Sequence, residues 1–227
     1  MKPTSIALAA ALLAAVALPA QNAPTAPLTV SKKVDATMDI FQAGGNIDNS
    51  GGGAPVSLSF TAGTWGYLTF RSITGAWTCQ EGKLGYGPDG QTAGYCATAG
   101  GATSFKSIGL LSGYSQTDFV GPLVGVFLED SLPAAAPSAL RFYVSNSSEG
   151  GIQTDFSILN PEIGQVFFVG DGLTGTGAGS VQAFVVPSRA THLYLGYVDN
   201  CQGASKTGPG CYGDNLGSMT VIATLHD

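Results

Sequence analysis

Short β-rich runs separated by glycine and proline recur along this chain and restrict its fold most strongly. In residues 218–225 the apolar side chains of Met219, Val221, Ala223 and Leu225 alternate with more polar ones, the two-residue period of a half-buried strand. Similar runs lie at residues 56–61, 67–71, 123–128, 140–144, 165–169, 181–186 and 192–198. Strands at this spacing predict an all-β fold, an antiparallel β-sandwich or jelly roll with Gly-rich loops.

Composition excludes the main alternatives to a β fold. Glycine accounts for 33 of the 227 residues, and only 11% of the residues are charged. Helical bundles favour Ala, Glu, Lys and Leu on their surfaces, and disordered chains carry high charge with few aromatics. We therefore expect one ordered β domain at residues 31–227.

The N-terminal segment is typical of a secretory signal. Lys2 precedes an apolar run from Ile6 to Leu18, and Pro19-Ala20 ends the segment. The run is shorter than the roughly 20 apolar residues that span a bilayer. We expect a signal peptide at 1–20, a proline-containing linker at 21–30 and export to the extracellular space or the periplasm. An uncleaved anchor is the alternative.

The charge balance bears on possible partners. The chain has 15 acidic and 9 basic residues, for a net charge of −6. This sign argues against nucleic acid or anionic lipid as a partner. We expect no nucleic-acid binding and no membrane insertion after signal cleavage. Cations and neutral sugars remain compatible.

Four cysteines, Cys79, Cys96, Cys201 and Cys211, follow the predicted signal. Their spacing suggests two local disulfides, Cys79–Cys96 and Cys201–Cys211, although four cysteines permit three connectivities. A zinc site built from all four thiolates is the rival interpretation. Neither pair has the short spacing that is typical of such sites.

No motif in the chain indicates an enzyme. Gly170-Asp-Gly-Leu-Thr-Gly175 matches G-x-G-x-x-G, but no helix pattern follows, so a hairpin turn is expected rather than a dinucleotide site. The chain has two histidines, His192 and His226, and neither accompanies a nucleophile motif. Glu129-Asp130 is the best carboxylate pair for glycoside hydrolysis, but adjacent residues on a strand face opposite sides.

Oxygen-bearing side chains cluster near the C-terminus. Asp199 ends one predicted strand, and Asp214-Asn215 comes directly before the last one. If those strands are antiparallel neighbours, the three side chains converge on one end of the fold. Calcium takes six to eight oxygen ligands of this kind. The alternative is that these residues only form turns, as Asp and Asn commonly do.

The stretch from Tyr194 to Val221 resembles the closing strands of the bacterial galactophilic lectins of the PA-I type and related galactose-binding-like modules. The likeness lies in Asp199, the turn Tyr212-Gly213-Asp214-Asn215 and the leading Gly217-Ser218. Weaker patches resemble the family's opening and central strands. The chain differs in having Asp214 and Cys211 where the family has Asn and Thr, a longer loop after Asn200, and an inserted segment at 129–164.

This resemblance implies a secreted, calcium-dependent carbohydrate-binding module in which the metal coordinates sugar hydroxyls. It implies side-chain ligands at Asp199, Asp214 and Asn215, a main-chain ligand at Cys211 and another near Gln80. The expected sugar contacts are Asp199, Asp214 and the ring of Tyr212, since sugars pack on aromatic faces with a polar rim. A calcium-stabilised structural or adhesion domain without a sugar site is the alternative.

Overall fold

The computed structural model describes residues 25–47, 50–79, 85–90, 102–117, 119–144, 150–199 and 209–227. The strands in these parts are β1 (Leu28–Asp35), β2 (Val56–Ser59), β3 (Tyr67–Thr78), β4 (Ala102–Phe105), β5 (Tyr114–Thr117), β6 (Leu123–Leu128), β7 (Leu140–Tyr143), β8 (Ile152–Gln153), β9 (Ile158–Leu159), β10 (Val166–Phe168), β11 (Leu173–Gly175), β12 (Ala178–Val181), β13 (Ala183–Val185), β14 (His192–Tyr197) and β15 (Leu216–His226). Two short 3-10 turns, Ile40–Gly45 and Tyr212–Asp214, are the helical elements of this described part. None of its helices is long and apolar enough to cross a membrane. The predicted all-β class is confirmed.

The first sheet is built around the C-terminal strand. Its order is β1-β15-β3-β13-β9, and β15 pairs antiparallel with both β1 and β3. The side chains of Met219, Val221, Ala223 and Leu225 are all buried, as their alternation predicted. Gly75 in β3 lets this pairing form, because a Cβ there would lie 2.3 Å from the carbonyl oxygen of Ser218.

The second sheet faces the first across a shared core. Its order is β10-β6-β14-β2, with antiparallel pairs throughout. The rings of Phe167 in β10 and Phe184 in β13 have centroids 5.3 Å apart. Trp77 in β3 lies at the same centroid distance from Tyr197 in β14. Both contacts join one sheet to the other, so the core lies between them.

A third sheet corrects the prediction of a purely antiparallel fold. Its order is β4-β5-β7-β8, and the pairs β5–β7 and β7–β8 are parallel, as is β13–β9 in the first sheet. Parallel neighbours need a crossover connection. The chain supplies one by passing through β6, in another sheet, between β5 and β7. The sheets are therefore antiparallel or mixed.

The first strand begins earlier than the sequence suggested. β1 starts at Leu28 and pairs with β15 over its whole length, so the predicted linker at 21–30 overlaps its first three residues. β1 is an edge strand that carries Lys32 and Lys33 and buries only Val34 fully. Edge strands are commonly charged, which explains the weak apolar pattern. The predicted signal peptide lies outside the described residues.

The glycine motif at residues 170–175 forms a turn and a hairpin, as predicted. β11, at the end of the motif, pairs antiparallel with β12, the strand that follows it. The Asp171 carboxylate accepts hydrogen bonds from the backbone N–H groups of Leu173 and Gly177, at 2.8 and 2.6 Å. The motif therefore organises its own loop instead of opening a nucleotide-binding helix.

Candidate functional site

The predicted metal-binding residues lie where the two main sheets meet, and not between paired strands. Asp199 follows β14, in the second sheet, whereas Asp214 and Asn215 precede β15, in the first sheet. The assumption that these strands are antiparallel neighbours is therefore wrong. Their ends approach each other across the core instead.

Main-chain hydrogen bonds bring Asp199 next to the residues around Cys211. The N–H of Asp199 donates to the hydroxyl of Tyr212 at 3.1 Å. The carbonyl oxygen of Asp199 accepts from the N–H of Gly210 at 3.1 Å. Asp199 is partly exposed. The main chain of Asp199 thus lies beside Gly210 and Tyr212, although β14 and β15 belong to different sheets.

The ring of Tyr212 is fully buried, which corrects its predicted role as a sugar contact. Its hydroxyl lies 3.0 Å from Oδ1 of Asp39 and 3.2 Å from the carbonyl oxygen of Tyr197. Burial, followed by the charge of Asp39, raises the pKa of the Tyr212 hydroxyl well above its usual value. Tyr212 therefore stays neutral and acts as an internal support beneath the loop, with no face free for a ligand.

Asp39 is the partner of this support and has no sequence signature of its own. It is fully buried and begins the first 3-10 turn, where Oδ1 accepts from the N–H of Phe41 at 2.9 Å. Oδ2 accepts a short hydrogen bond from the hydroxyl of Ser50. A buried carboxylate needs such donors to offset its lost hydration. The Tyr212 hydroxyl thus hydrogen-bonds a residue in a turn that is far away in the sequence.

Asn215 carries the clearest unsatisfied group of the cluster. Its side chain is 2% exposed, and Nδ2 donates to the carbonyl oxygen of Ala36 at 3.0 Å. Its Oδ1 is buried and has no hydrogen-bond partner. A buried acceptor without a partner costs about 1–3 kcal/mol, so a ligand that satisfied this oxygen would stabilise the fold.

Cys211 and Asp214 form the exposed side of the cluster. Cys211 has φ 63°, and among the described residues it is the one non-glycine residue with positive φ. This left-handed conformation costs about 1–2 kcal/mol and is common beside functional sites. Asp214, in the short 3-10 turn, is exposed. Both can therefore meet a ligand from solvent.

Some of the predicted residues fall outside the described part of the chain. These are Gln80, Cys96 and Cys201. Cys79 and Cys211 are disulfide-bonded, but the pairing within the set of four stays a prediction.

Among described residues, no group of three or more His, Cys, Asp or Glu side chains is arranged to hold a metal. Calcium also takes amide and main-chain oxygens, so Asn215 and the Cys211 carbonyl remain eligible ligands.

The carboxylate pair Glu129-Asp130 follows β6 and does not lie on a strand, which removes the geometric argument against it. Both residues line an open groove with His192 and Tyr194. Glu129 forms an ion pair with Arg189 at 3.0 Å. Asp130 accepts from the hydroxyl of Thr191 at 2.7 Å. Both carboxylates thus have protein partners.

Comparisons of the chain with protein-family models, with curated proteins and with solved structures found no match.

Proposed function

We propose that this chain is a secreted, calcium-dependent carbohydrate-binding module built on a galactose-binding-like β-sandwich of jelly-roll type. The two facing sheets and their shared aromatic core support the sandwich architecture. The four-stranded mixed sheet is an addition to it. The resemblance of residues 194–221 to the galactophilic lectins supports the location of the binding loop.

The unpartnered Oδ1 of Asn215 is the observation that carries this proposal. It is a hard oxygen, buried and fixed by the bond from Nδ2 to Ala36. Asp199 and Asp214 add carboxylates, and the strained Cys211 adds a main-chain oxygen. Amide, carboxylate and carbonyl oxygens are the ligands that calcium prefers. The donor set therefore fits calcium better than zinc, which prefers nitrogen and sulfur.

The buried residues below the loop fix the ligands and have no contact with the sugar. The Tyr212 hydroxyl sets the position of the Asp199 main chain from beneath. The N–H of Gly210 donates a hydrogen bond to the carbonyl oxygen of Asp199 and so restrains it further. Calcium bound there would coordinate neighbouring hydroxyls of a sugar. A rigid ligand set lowers the ordering cost of binding.

A calcium-stabilised domain without a sugar site is the second candidate. The burial of Tyr212 favours it, because the loop loses its expected aromatic face. Weak extracellular calcium sites of millimolar affinity are common in exported modules. Under this alternative the cation would act only through stability.

A glycan array separates the two candidates. The full mature chain is applied in calcium and again in excess chelator, beside the Asp199→Ala variant in calcium. The proposal expects glycan signals that require calcium and are lost in Asp199→Ala. Calcium-dependent stability without any glycan signal would establish the structural alternative and overturn the lectin proposal.

A further inference from the structure

A cavity of about 240 Å³ lies at the β11–β12 hairpin, and none of its lining residues belongs to the Asp199–Asn215 loop. Its walls include two aromatic rings, Phe119 and Phe168, which are 9% and 3% exposed. Asp89 and Gln116 supply buried polar groups. We call this space the hairpin cavity. Its size is just below that of pockets for drug-sized ligands, so it suits a single ring.

Gln116 gives the hairpin cavity an unused hydrogen-bond donor. The residue is 1% exposed, and its Oε1 accepts from the hydroxyl of Tyr114 at 2.5 Å. Its Nε2 is buried and has no hydrogen-bond partner. Leaving such a donor unpaired is costly. Gln116 is among the residues that line the cavity, and a ligand oxygen can accept from Nε2 once the side-chain amide turns toward that space.

Asp89 supplies a fixed acceptor in the same space. It is 9% exposed, and its Oδ1 accepts from the N–H of Asp171 at 2.9 Å. Gly170, with φ 55°, passes so close that a Cβ there would lie 2.4 Å from Asp89 Oδ1. Burial, followed by the charge of Asp171, raises the pKa of the Asp89 carboxyl. The fold thus holds this carboxyl in an unfavourable setting, which is typical of functional positions.

The lining selects for a neutral, hydroxylated ligand. Asp89 and Asp155 line the cavity, and Asp171 lies beside it, so anions are repelled. The amide donor of Gln116 and the two phenyl rings are unsuited to a metal ion. A hydroxyl group can donate to a carboxylate and accept from an amide at once. A sugar ring presents such hydroxyls around an apolar face that packs on aromatic rings.

We propose that the hairpin cavity binds one monosaccharide unit without calcium, with Gln116 and Asp89 as the polar contacts. This site is additional to the calcium loop and does not depend on it. Evidence against either site would leave the other proposal unaffected.

Isothermal titration calorimetry in excess chelator tests this assignment. Galactose, glucose, mannose and N-acetylglucosamine are titrated, at millimolar concentration, into the full mature chain and three variants. The proposal expects at least one sugar to bind the unchanged chain. Gln116→Leu removes the unpaired donor, and Asp89→Asn replaces the acceptor carboxylate, so each should weaken that binding at least tenfold. Tyr67→Phe, at a partly exposed ring outside the cavity lining, should leave it unchanged.

The Asp89→Asn variant shows whether weaker sugar binding reflects a lost contact or a loss of folding. A raised pKa in the folded state means that the Asp89 carboxylate costs stability at neutral pH, so its replacement should stabilise the protein. Weaker binding by a more stable variant cannot come from unfolding. Absence of binding in chelator, or binding that both cavity variants retain, would overturn the cavity site.

Discussion

The hydroxyl of Tyr212 lies 3.0 Å from Oδ1 of Asp39, two residues that are 173 positions apart in the sequence. This contact ties the turn before β15 to the turn after β1. Because the same hydroxyl accepts from the N–H of Asp199, one buried group positions both sides of the candidate calcium loop.

Tyr212→Phe should destabilise the protein by about 1–3 kcal/mol, because it leaves the buried Asp39 carboxylate and the part-buried N–H of Asp199 without this partner. Chemical denaturation at neutral pH measures the change. Tyr67→Phe is the matched control, since the Tyr67 side chain is 38% exposed and its ring stacks on His226. The control should stay within about 0.5 kcal/mol of the unchanged chain. Equal stability of the two variants would contradict the supporting role of Tyr212.

Alkaline pH should destabilise the fold through its buried tyrosines. Burial raises the pKa of Tyr114, Tyr197 and Tyr212 in the folded state. Their contribution is complete below the unfolded-state pKa of about 10 and is lost as the pH rises above it. Each such tyrosine adds a slope of about 1.4 kcal/mol per pH unit in that window. Unfolding free energies measured across this range test the slope, and full tyrosine ionisation of a still-folded chain would refute it.

Gly52→Ala should disturb the support beneath the loop. A Cβ at Gly52 would lie 2.5 Å from Cβ of Asp39 and 3.0 Å from Cγ of Tyr212. Overpacking of this kind costs about 1–3 kcal/mol. The neighbouring Gly53→Ala is a close control. A Cβ at Gly53 would lie 3.6 Å from the carbonyl oxygen of Thr37, which is an ordinary van der Waals distance. Thermal unfolding of both variants should show a loss only in the first, and equal losses would refute the packing argument.

The sequence predicts the central strands better than their neighbours. Leu123–Leu128 has the bounds that its apolar run suggested, and the alternation in β15 identified its buried face. That signal depends only on which side chains leave water. The apolar alternation cannot show that β14 and β15 lie in different sheets, because it does not specify which strands pair with each other.

The candidate site was predictable only in its local parts. Asp199, Asp214 and Asn215 stand at strand ends, where turn chemistry makes them visible. Asp39 looks like an ordinary turn residue, and only the folded chain brings it to Tyr212. Likewise, the unpartnered state of Asn215 Oδ1 depends on the distant carbonyl of Ala36, which no local pattern encodes.

Asn215→Ala should remove the response of the protein to calcium. It deletes the unpartnered oxygen and also the bond to Ala36, so the metal-free protein should lose about 1–2 kcal/mol of stability. Asn46→Ala is the matched control. Asn46 is buried too, but both ends of its side-chain amide have partners. Its Nδ2 donates to the carbonyl oxygens of Phe41 and Ile108, and its Oδ1 accepts from the N–H of Leu110.

The control should lose stability yet keep the calcium response. Melting curves of both variants with and without calcium make the comparison. A full calcium response in Asn215→Ala would remove this residue from the site.

The melting temperature of the protein, measured in calcium and again in excess chelator, shows whether a cation binds at the Asp199–Asn215 loop. A cation that binds only the folded state must stabilise it. At calcium a hundredfold above its dissociation constant, we expect the melting temperature to rise by about 5–10 °C and Asp199→Ala to abolish this rise. Identical melting temperatures in calcium and in chelator would contradict a calcium site at this loop.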